Sequence, residues 1–428
     1  MRSKTMRGAA LGVAVGLGLT LSGCAGAGGG GQGGEGPSVE EGGQLTFANW
    51  QWLEPGRGEQ IWSAVGGYSE ANPQVELVQQ EIVRADYERT ISTQIGSGQG
   101  PDVFIIPDTY FPELAASGAL EPLDGVLDPA DQERLNATNE NFAVDGQQLA
   151  LTWESVPFAF FWNENLLDEA GVEPPTSPEE LVEAAQTVQD ETGATGFAVR
   201  HQMNEETVWW LDFANWPYGF GGGWSDGEQL TIDSAENIEA LTAYQEVYDS
   251  GAFAVGDDAS TFRSRFAEGE VAMMIDNSSA LLTMVADNET VTSEDIGASP
   301  LPFTTDGSTY AGFAIGINAN SQNKELARDF VRWMFTQEGQ AAMAEGLAPS
   351  LVGTDVEVPA DFVEANPWVP TFHEQLPNAT TAVIAGFETE TPQIRTAILT
   401  QVARVLTEDV DPAEALAQAQ ADAEAAVE

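Results

Sequence analysis

The sequence predicts a protein of the α/β class, and three observations support this prediction. Short apolar runs of strand length alternate along the chain with segments whose apolar residues recur at helical spacing. Strand–helix–strand order of this kind forms parallel β-α-β units. No repeat with a period of 20–50 residues is visible, so the pattern does not indicate a solenoid.

The elements of the first half follow one another closely. The continuous apolar run that follows Asp102 is typical of a strand buried on both faces. Gly118 predicts the end of the helix that comes after this strand. The predicted strands are residues 45–48, 75–83 and 102–106, and the predicted helices are residues 58–70, 87–95 and 112–116.

The second half continues the alternation. Ser177 opens a Ser-Pro-Glu-Glu sequence, which places a serine at the N-cap, proline at the first helical position and glutamate at the third. Ser234 begins another helix. The remaining predicted elements are strands at 158–162, 229–232 and 272–275 and helices at 321–337 and from 411 to the C-terminus.

The N-terminus predicts export. A basic start precedes an apolar run at residues 11–21, which is shorter than the ~20 residues that a membrane span needs. Residues 1–23 are therefore predicted to be a signal peptide. The Leu-Ser-Gly-Cys sequence that ends at Cys24 resembles the bacterial lipobox, and this resemblance implies cleavage before Cys24 and a lipid on its sulfur. The alternative is an ordinary secretory peptide with a chance cysteine.

Residues 24–41 are rich in glycine and predict a flexible tether. Cys24 is the only cysteine, which excludes internal disulfides and cysteine-based metal sites. We expect no metal and no cofactor.

The charge excludes one class of partner. The formal net charge is −53, and without the three basic residues of the signal peptide the remaining 12 bases and 68 acids leave −56. Nucleic acid is excluded because its binding requires a basic patch, and a polyanionic solute would be repelled. The acidity and the scarcity of lysine favour a salt-adapted organism, or simply a soluble acidic protein.

Four stretches of sequence, taken in order, resemble the bacterial extracellular solute-binding protein family, in particular its sugar-binding branch. The first begins with Gly-Gln-Gly-Pro-Asp-Val and spans residues 98–124. The others are residues 162–175, residues 266–273 with Phe-Ala-Glu-Gly-Glu-Val, and residues 300–327. Any one of these stretches could occur in an unrelated α/β protein, but their shared order is specific.

This resemblance implies a two-lobed fold of the periplasmic-binding-protein type, with discontinuous lobes and a hinge of crossing strands. It also implies a non-enzymatic role in an ABC importer, with a mono- or oligosaccharide as solute, a membrane permease as partner and the extracellular face of the membrane as location. We expect a monomer. The implied lobes are an N-lobe at 42–152 and 302–346 and a C-lobe at 153–301 and 347–428.

A sugar offers apolar faces that stack on aromatic rings and hydroxyls that bond to carboxylates and amides. Loops after strands that combine such residues are therefore candidate binding sites. The predicted ligand-binding residues are Trp50, Trp52, Glu54, Asp108, Tyr110, Glu154, Trp210, Trp216, Asn277 and Phe313.

Each candidate has a structural alternative. Trp50 and Trp52 could pack within a lobe, and Asp108 could cap the following helix. Glu154 could form a hinge hydrogen bond. Several aromatic residues of the 209–220 stretch must belong to a core, because their spacing also fits a buried helix face.

Other functions remain as alternatives. Tryptophans combined with carboxylates also suit a cationic solute such as a polyamine or betaine. A glycosidase needs only two carboxylates, and a surface protein could keep the fold without transport. Gly-Trp-Ser-Asp-Gly at 223–227 matches the G-x-S-x-G pattern, but the expected strand before it and helix after it are missing.

Overall fold

The computed structural model describes residues 36–54, 56–286 and 288–427. The predicted signal peptide, Cys24 and most of the predicted tether lie outside these residues. The strands are β1 (Gly43–Ala48), β2 (Val75–Gln80), β3 (Val103–Pro107), β4 (Ala143–Val144), β5 (Gln147–Gln148), β6 (Ala150–Asn163), β7 (Thr195–Ala198), β8 (Val271–Asn277), β9 (Ile296–Ser299), β10 (Ser308–Ile317) and β11 (Ala379–Thr380).

The helices connect these strands and cover the sheets. They are α1 (Arg57–Ala71), α2 (Tyr87–Gly96), α3 (Phe111–Ala116), α4 (Pro129–Gln132), α5 (Glu164–Ala170), α6 (Pro178–Thr192), α7 (Glu206–Gly219), α8 (Ala235–Asp249), α9 (Ala259–Ala267), α10 (Ser278–Val285), α11 (Lys324–Met334), α12 (Gln337–Leu347), α13 (Ala360–Ala365), α14 (Val369–Gln375), α15 (Thr391–Glu408) and α16 (Pro412–Val427).

Strand β6 belongs to two sheets. Its residues 150–157 pair antiparallel with β10, and its residues 158–163 pair antiparallel with β8 and β9. The order is β2-β1-β3-β10-β6 on one side and β6-β8-β7 on the other. Strand β1 is parallel to β2 and β3, and β7 is parallel to β8. The predicted α/β class is confirmed.

Three hydrophobic cores fill the structure. Core 1 surrounds the first sheet and draws its buried residues from 45–153 and 314–352. Cores 2 and 3 lie on opposite faces of the second sheet, because successive residues of β6 alternate between them: Phe160 and Trp162 belong to core 2, and Ala159 and Phe161 belong to core 3.

Helix starts follow the predicted capping residues. The side chains of Ser177 and Ser234 accept hydrogen bonds from the backbone at the starts of α6 and α8. The predicted helix at 321–337 is shorter, since α11 ends at Met334 and α12 begins after the cap Thr336. Residues 229–232 form no strand; Leu230 makes only an isolated bridge.

The last residues of the predicted tether pack on the first sheet. Val39 lies against core 1, and the Glu41 carboxylate accepts a hydrogen bond from the backbone of Ser38. Among the described residues, no helix combines the length and the apolar character that a membrane crossing requires.

Candidate functional site

A cavity of about 650 Å³ lies between core 1 and core 2. One wall consists of α3, the turn before β4 and the start of the β4–β5 hairpin, and residues 380–389 form the other. The lining combines carboxylates, hydroxyls and short apolar side chains: Asp108, Phe111, Pro112, Ala115, Ala116, Asn141, Ala143, Val144, Asp145, Thr380, Thr381, Val383, Ala385, Glu388 and Thr389. A cavity of this size and character suits a small polar molecule. We call it the first cavity.

The wall at residues 380–389 is anchored at alternate positions. Ala382 and Ile384 are buried in core 2, whereas positions 381, 383 and 385 line the first cavity. The indole Nε1 of Trp210 donates a hydrogen bond of 2.7 Å to the carbonyl oxygen of Ala382. Core 2 thus holds this wall in place.

Asp108 is the predicted ligand-binding residue that lines the first cavity. Its Oδ1 accepts a hydrogen bond from the Thr109 N–H at 2.7 Å, and its Oδ2 accepts one from the Gly312 N–H at 3.2 Å. Burial raises the pKa of Asp108 to about 7, although both hydrogen bonds oppose the shift. Near neutral pH the group is therefore present both as a carboxylate acceptor and as a carboxylic acid that can donate. Asp108 does not cap α3, whose N-cap residue is Tyr110.

A tyrosine on the crossing strand β10 contacts the lining of the first cavity. The hydroxyl of Tyr310 accepts a hydrogen bond of 2.6 Å from Nδ2 of Asn141. Desolvation and the nearby Asp108 raise the pKa of Tyr310 above its usual value, so its phenol remains protonated and can donate to a bound group.

Sequence patterns did not predict the wall at residues 380–389, and they did not predict Phe111 or Asn141 as lining residues. One signal for the wall was available. Residues 380–387 read Thr-Thr-Ala-Val-Ile-Ala-Gly-Phe and carry no charge, in a chain that contains 68 acidic residues. An uncharged run of this kind indicates a segment that is at least partly buried.

The two tryptophans after β1 pack against core 1. Trp52 is buried, its ring meets Phe47 edge-on with centroids 5.2 Å apart, and its Nε1 donates to the Phe47 carbonyl oxygen. Trp50 is also buried, with its ring 5.2 Å from that of Phe313 and the Arg84 guanidinium 4.7 Å from its centroid. Trp52 therefore follows the alternative of packing within a lobe, while Trp50 and the half-buried Phe313 contact each other.

Glu154 and Glu54 meet around one arginine. Glu154 is fully buried; its Oε2 accepts from Nε2 of Gln51 at 2.7 Å, and its Oε1 bonds to the Arg57 guanidinium. Arg57 also pairs with Glu54 at 2.8 Å. Burial raises the pKa of Glu54, although Arg57 opposes the shift. Both oxygens of Glu154 are engaged within the protein, so this residue ties the loop after β1 to the crossing strand β6.

The structure corrects the predictions for Trp210 and Trp216. Neither side chain has any exposed surface, since both lie in core 2. Trp210 stacks on Trp224 at 4.8 Å, and Trp216 packs against Phe303 at 4.7 Å. Helix α7 is apolar on most of its circumference. The spacing of its aromatic residues therefore could not show which of them lie in the core and which lie at the surface.

Tyr110 and Asn277 also serve the protein's own packing. The Tyr110 hydroxyl bonds to Oγ of Ser92 at 2.5 Å, and only 3% of the residue is exposed. The Asn277 side chain caps α10 by accepting from the Ala280 N–H at 3.0 Å, and its Nδ2 donates to Asp276. Asn277 thus has a capping role in the fold, and its contact with a solute stays a prediction.

Buried ion pairs lie at the carboxyl ends of β7 and β8. Arg263 donates two hydrogen bonds of 2.8 Å to Asp276, and Arg200 donates one of 2.5 Å to Asp212. Burial raises the pKa of Asp212 to about 7, whereas Arg263 and Arg200 overcome burial and hold the pKa of Asp276 below its usual value. Asp276 of this cluster accepts a hydrogen bond from Nδ2 of Asn277 and so holds that side chain in place.

The G-x-S-x-G sequence has a structural role. The Ser225 hydroxyl donates a hydrogen bond of 2.5 Å to the carbonyl oxygen of Ala385, which belongs to the wall of the first cavity. Helix α7 and a turn precede Ser225, so the strand–turn–helix geometry of a nucleophile elbow is not present here.

Comparisons with known proteins agree with this architecture. A family model for bacterial extracellular solute-binding proteins matches residues 52–341. The chain is 27% identical to the maltotriose-binding protein of Pyrococcus abyssi, across 73% of this chain and 69% of that protein. It is 24% identical to the diacetylchitobiose binding protein DasA of Streptomyces coelicolor, across 80% of this chain and 81% of that protein.

A solved structure shares the fold. The GacH receptor of Streptomyces glaucescens, determined without ligand and with acarbose, matches with a TM-score of 0.78 and 24% identity, across 89% of this chain and 97% of that one. The predicted two-lobed fold is confirmed, and so is the prediction of a binding protein rather than an enzyme. Because the family model covers more than half of its length, the chain belongs to the bacterial extracellular solute-binding protein family.

Proposed function

We propose that this protein is the substrate-binding component of an ABC importer and that it binds a mono- or oligosaccharide in the first cavity. The observation that carries the proposal is the lining of that cavity, where Asp108 and the Phe111 ring belong to one wall and the threonine hydroxyls of residues 380, 381 and 389 belong to the other. Carboxylate and hydroxyl groups bond to sugar hydroxyls, and an aromatic ring packs on their C–H faces. The relatives named for maltotriose and diacetylchitobiose support a carbohydrate.

Closure of two lobes around the solute would give tight binding. The crossing strands β6 and β10 pair directly, and Ser155 exchanges backbone hydrogen bonds of 2.8 and 3.0 Å with Leu351. Such paired strands can act as a hinge. Core 1 takes its buried residues from 45–153 and 314–352, and cores 2 and 3 take theirs from 159–301 and 368–423. These ranges support a division into two lobes with crossings within several residues of 153, 302 and 347.

A lipid on Cys24 would keep the protein at the outer face of the membrane, close to its permease. The tether between Cys24 and Val39 would leave the lobes free to move. Substitution Cys24→Ser tests the anchor: we expect release into the medium or an unprocessed precursor. A Cys24→Ser protein that is processed and still partitions with membranes would refute it.

The cationic alternative has less structural support. A cage for a cation needs several exposed aromatic faces, but Trp52, Trp210 and Trp216 are buried in cores. Phe111 is the aromatic residue that lines the first cavity.

A calorimetric screen of the purified protein tests the proposed function. The panel includes mono- and oligosaccharides together with a polyamine and betaine. We expect binding to one group of carbohydrates and no binding of the cations. Binding of a cation with no response to any carbohydrate would overturn the sugar assignment, and turnover of chromogenic glycosides would overturn the role as a binding protein.

A further inference from the structure

A second cavity of about 500 Å³ lies directly beside the first. Asn141, Thr380 and Thr381 line both cavities. Each cavity alone falls within the range of about 300–1,000 Å³ that is usual for a small-molecule site. The two cavities therefore form one longer groove between the same two walls.

One side-chain hydrogen bond stands at the junction. It joins Nδ2 of Asn141 to the hydroxyl of Tyr310 at 2.6 Å, and Tyr310 lines the second cavity. Asn141 is exposed, so rotation of its side chain breaks no core packing. Both partners of the bond can also form hydrogen bonds with a ligand that passes between the cavities.

The second cavity has the chemistry of a neutral polyhydroxyl site. Thr138 and His373 provide polar groups, while Leu351 and Leu376 provide apolar surface. Neither carboxylates nor basic lysine or arginine side chains occur among its lining residues. Nε2 of His373 donates a hydrogen bond of 2.8 Å to the carbonyl oxygen of Pro349. Burial lowers the pKa of His373, so the neutral imidazole keeps Nδ1 as an acceptor for a ligand.

We propose that the second cavity is a further ligand subsite and that the solute is a neutral oligosaccharide that occupies both cavities across the Asn141–Tyr310 junction. This inference rests on the proposed function, because it extends the same binding site. It assigns a ligand-facing role to the turn at Ala137–Phe142 and to the segment after α14, neither of which is a loop that follows a predicted strand.

Two matched substitutions separate the subsites. Ala137 is exposed and lines the second cavity, and Ala116 is exposed and lines the first. Ala137→Phe should fill the second cavity alone, and Ala116→Phe should obstruct the first. The probes are the malto- and chito-oligosaccharide series from dimer to tetramer, titrated calorimetrically, and thermal unfolding confirms that both variants fold.

We expect the wild type to bind a tetramer more tightly than the dimer. Ala137→Phe should weaken tetramer binding about tenfold or more and change dimer binding by less than about twofold, whereas Ala116→Phe should weaken both. Equal effects of Ala137→Phe on dimer and tetramer, or none on either, would overturn the second subsite. A wild type that binds only monosaccharides would also overturn it but would leave the proposed function intact. A wild type that binds no carbohydrate would overturn the proposed function itself.

Discussion

At the scale of single residues, the partners of a buried carboxylate show whether it is available to a ligand or stabilises the fold. Asp108 lines the first cavity, and its two hydrogen bonds come from backbone N–H groups. Glu154, by contrast, is fully buried against Gln51 and Arg57. The sequence predicted Asp108 just after a strand and Glu154 at the crossing between the lobes, but it could not show that Arg57, three residues after Glu54, would reach Glu154.

Asp108 should make the stability depend on pH. Its pKa is raised from 3.8 to about 7, so the folded protein retains a proton that the unfolded chain releases between about pH 4 and about pH 7. The associated stability is complete below about pH 4 and is lost as pH rises through 7. Urea unfolding at about pH 5 and about pH 8 should show that the wild type loses more stability than Asp108→Asn, by up to about 1.4 kcal/mol per pH unit within this window.

The control is Glu388→Gln, which removes an exposed carboxylate from the same cavity. It should keep the pH dependence of the wild type. An Asp108→Asn protein with an unchanged pH dependence would show that Asp108 ionises normally.

Arg57 should contribute much more to the free energy of unfolding than a surface arginine does. Removal of its charge leaves the buried Glu154 carboxylate without its cation, which typically costs about 3–5 kcal/mol. Arg57→Gln should therefore lower the free energy of unfolding by this amount in urea titrations, and the double variant with Glu154→Gln should recover part of it.

Arg404→Gln provides the comparison. Arg404 pairs with Glu408 on the surface of α15, where such a pair contributes about 0.5 kcal/mol or less. An Arg57→Gln protein as stable as Arg404→Gln would contradict the assigned role of the buried pair.

At the scale of elements, local signals predicted helix starts well and strand lengths poorly. Ser177 and Ser234 cap α6 and α8 because their hydroxyls satisfy backbone N–H groups that the helix leaves free. Strand β6 extends over 14 residues, whereas the apolar pattern predicted only 158–162. The polar residues 152, 154 and 155 concealed its first half, since their partners come from distant parts of the chain.

Helix α7 shows why aromatic residues were assigned to the wrong role. Trp216 is fully buried between Phe303 and Tyr244, so Trp216→Phe should destabilise the protein without changing the affinity for its solute by more than about twofold. Phe111→Ala, on the cavity wall, should weaken solute binding. Calorimetric titration with the best sugar of the screen measures both effects. A large loss of affinity in a folded Trp216→Phe protein would restore the ligand-binding role.

At the scale of the whole molecule, the order of several sequence motifs predicted the family and the fold. The wall at residues 380–389 could not be found in this way, because it faces Asp108 from more than 270 positions away and is positioned by core 2. Long-range placement of this kind depends on tertiary packing rather than on local pattern. Of the ten predicted ligand-binding residues, Asp108 is the one that lines the first cavity.

The central claim is that a carbohydrate binds between the walls formed by Asp108 and residues 380–389. A crystal structure of the protein with the best sugar of the calorimetric screen tests this claim most directly. We predict that the sugar lies in the first cavity, with a hydroxyl within hydrogen-bond distance of the Asp108 carboxyl group. A sugar bound elsewhere on the protein, with this cavity free of it, would contradict the account.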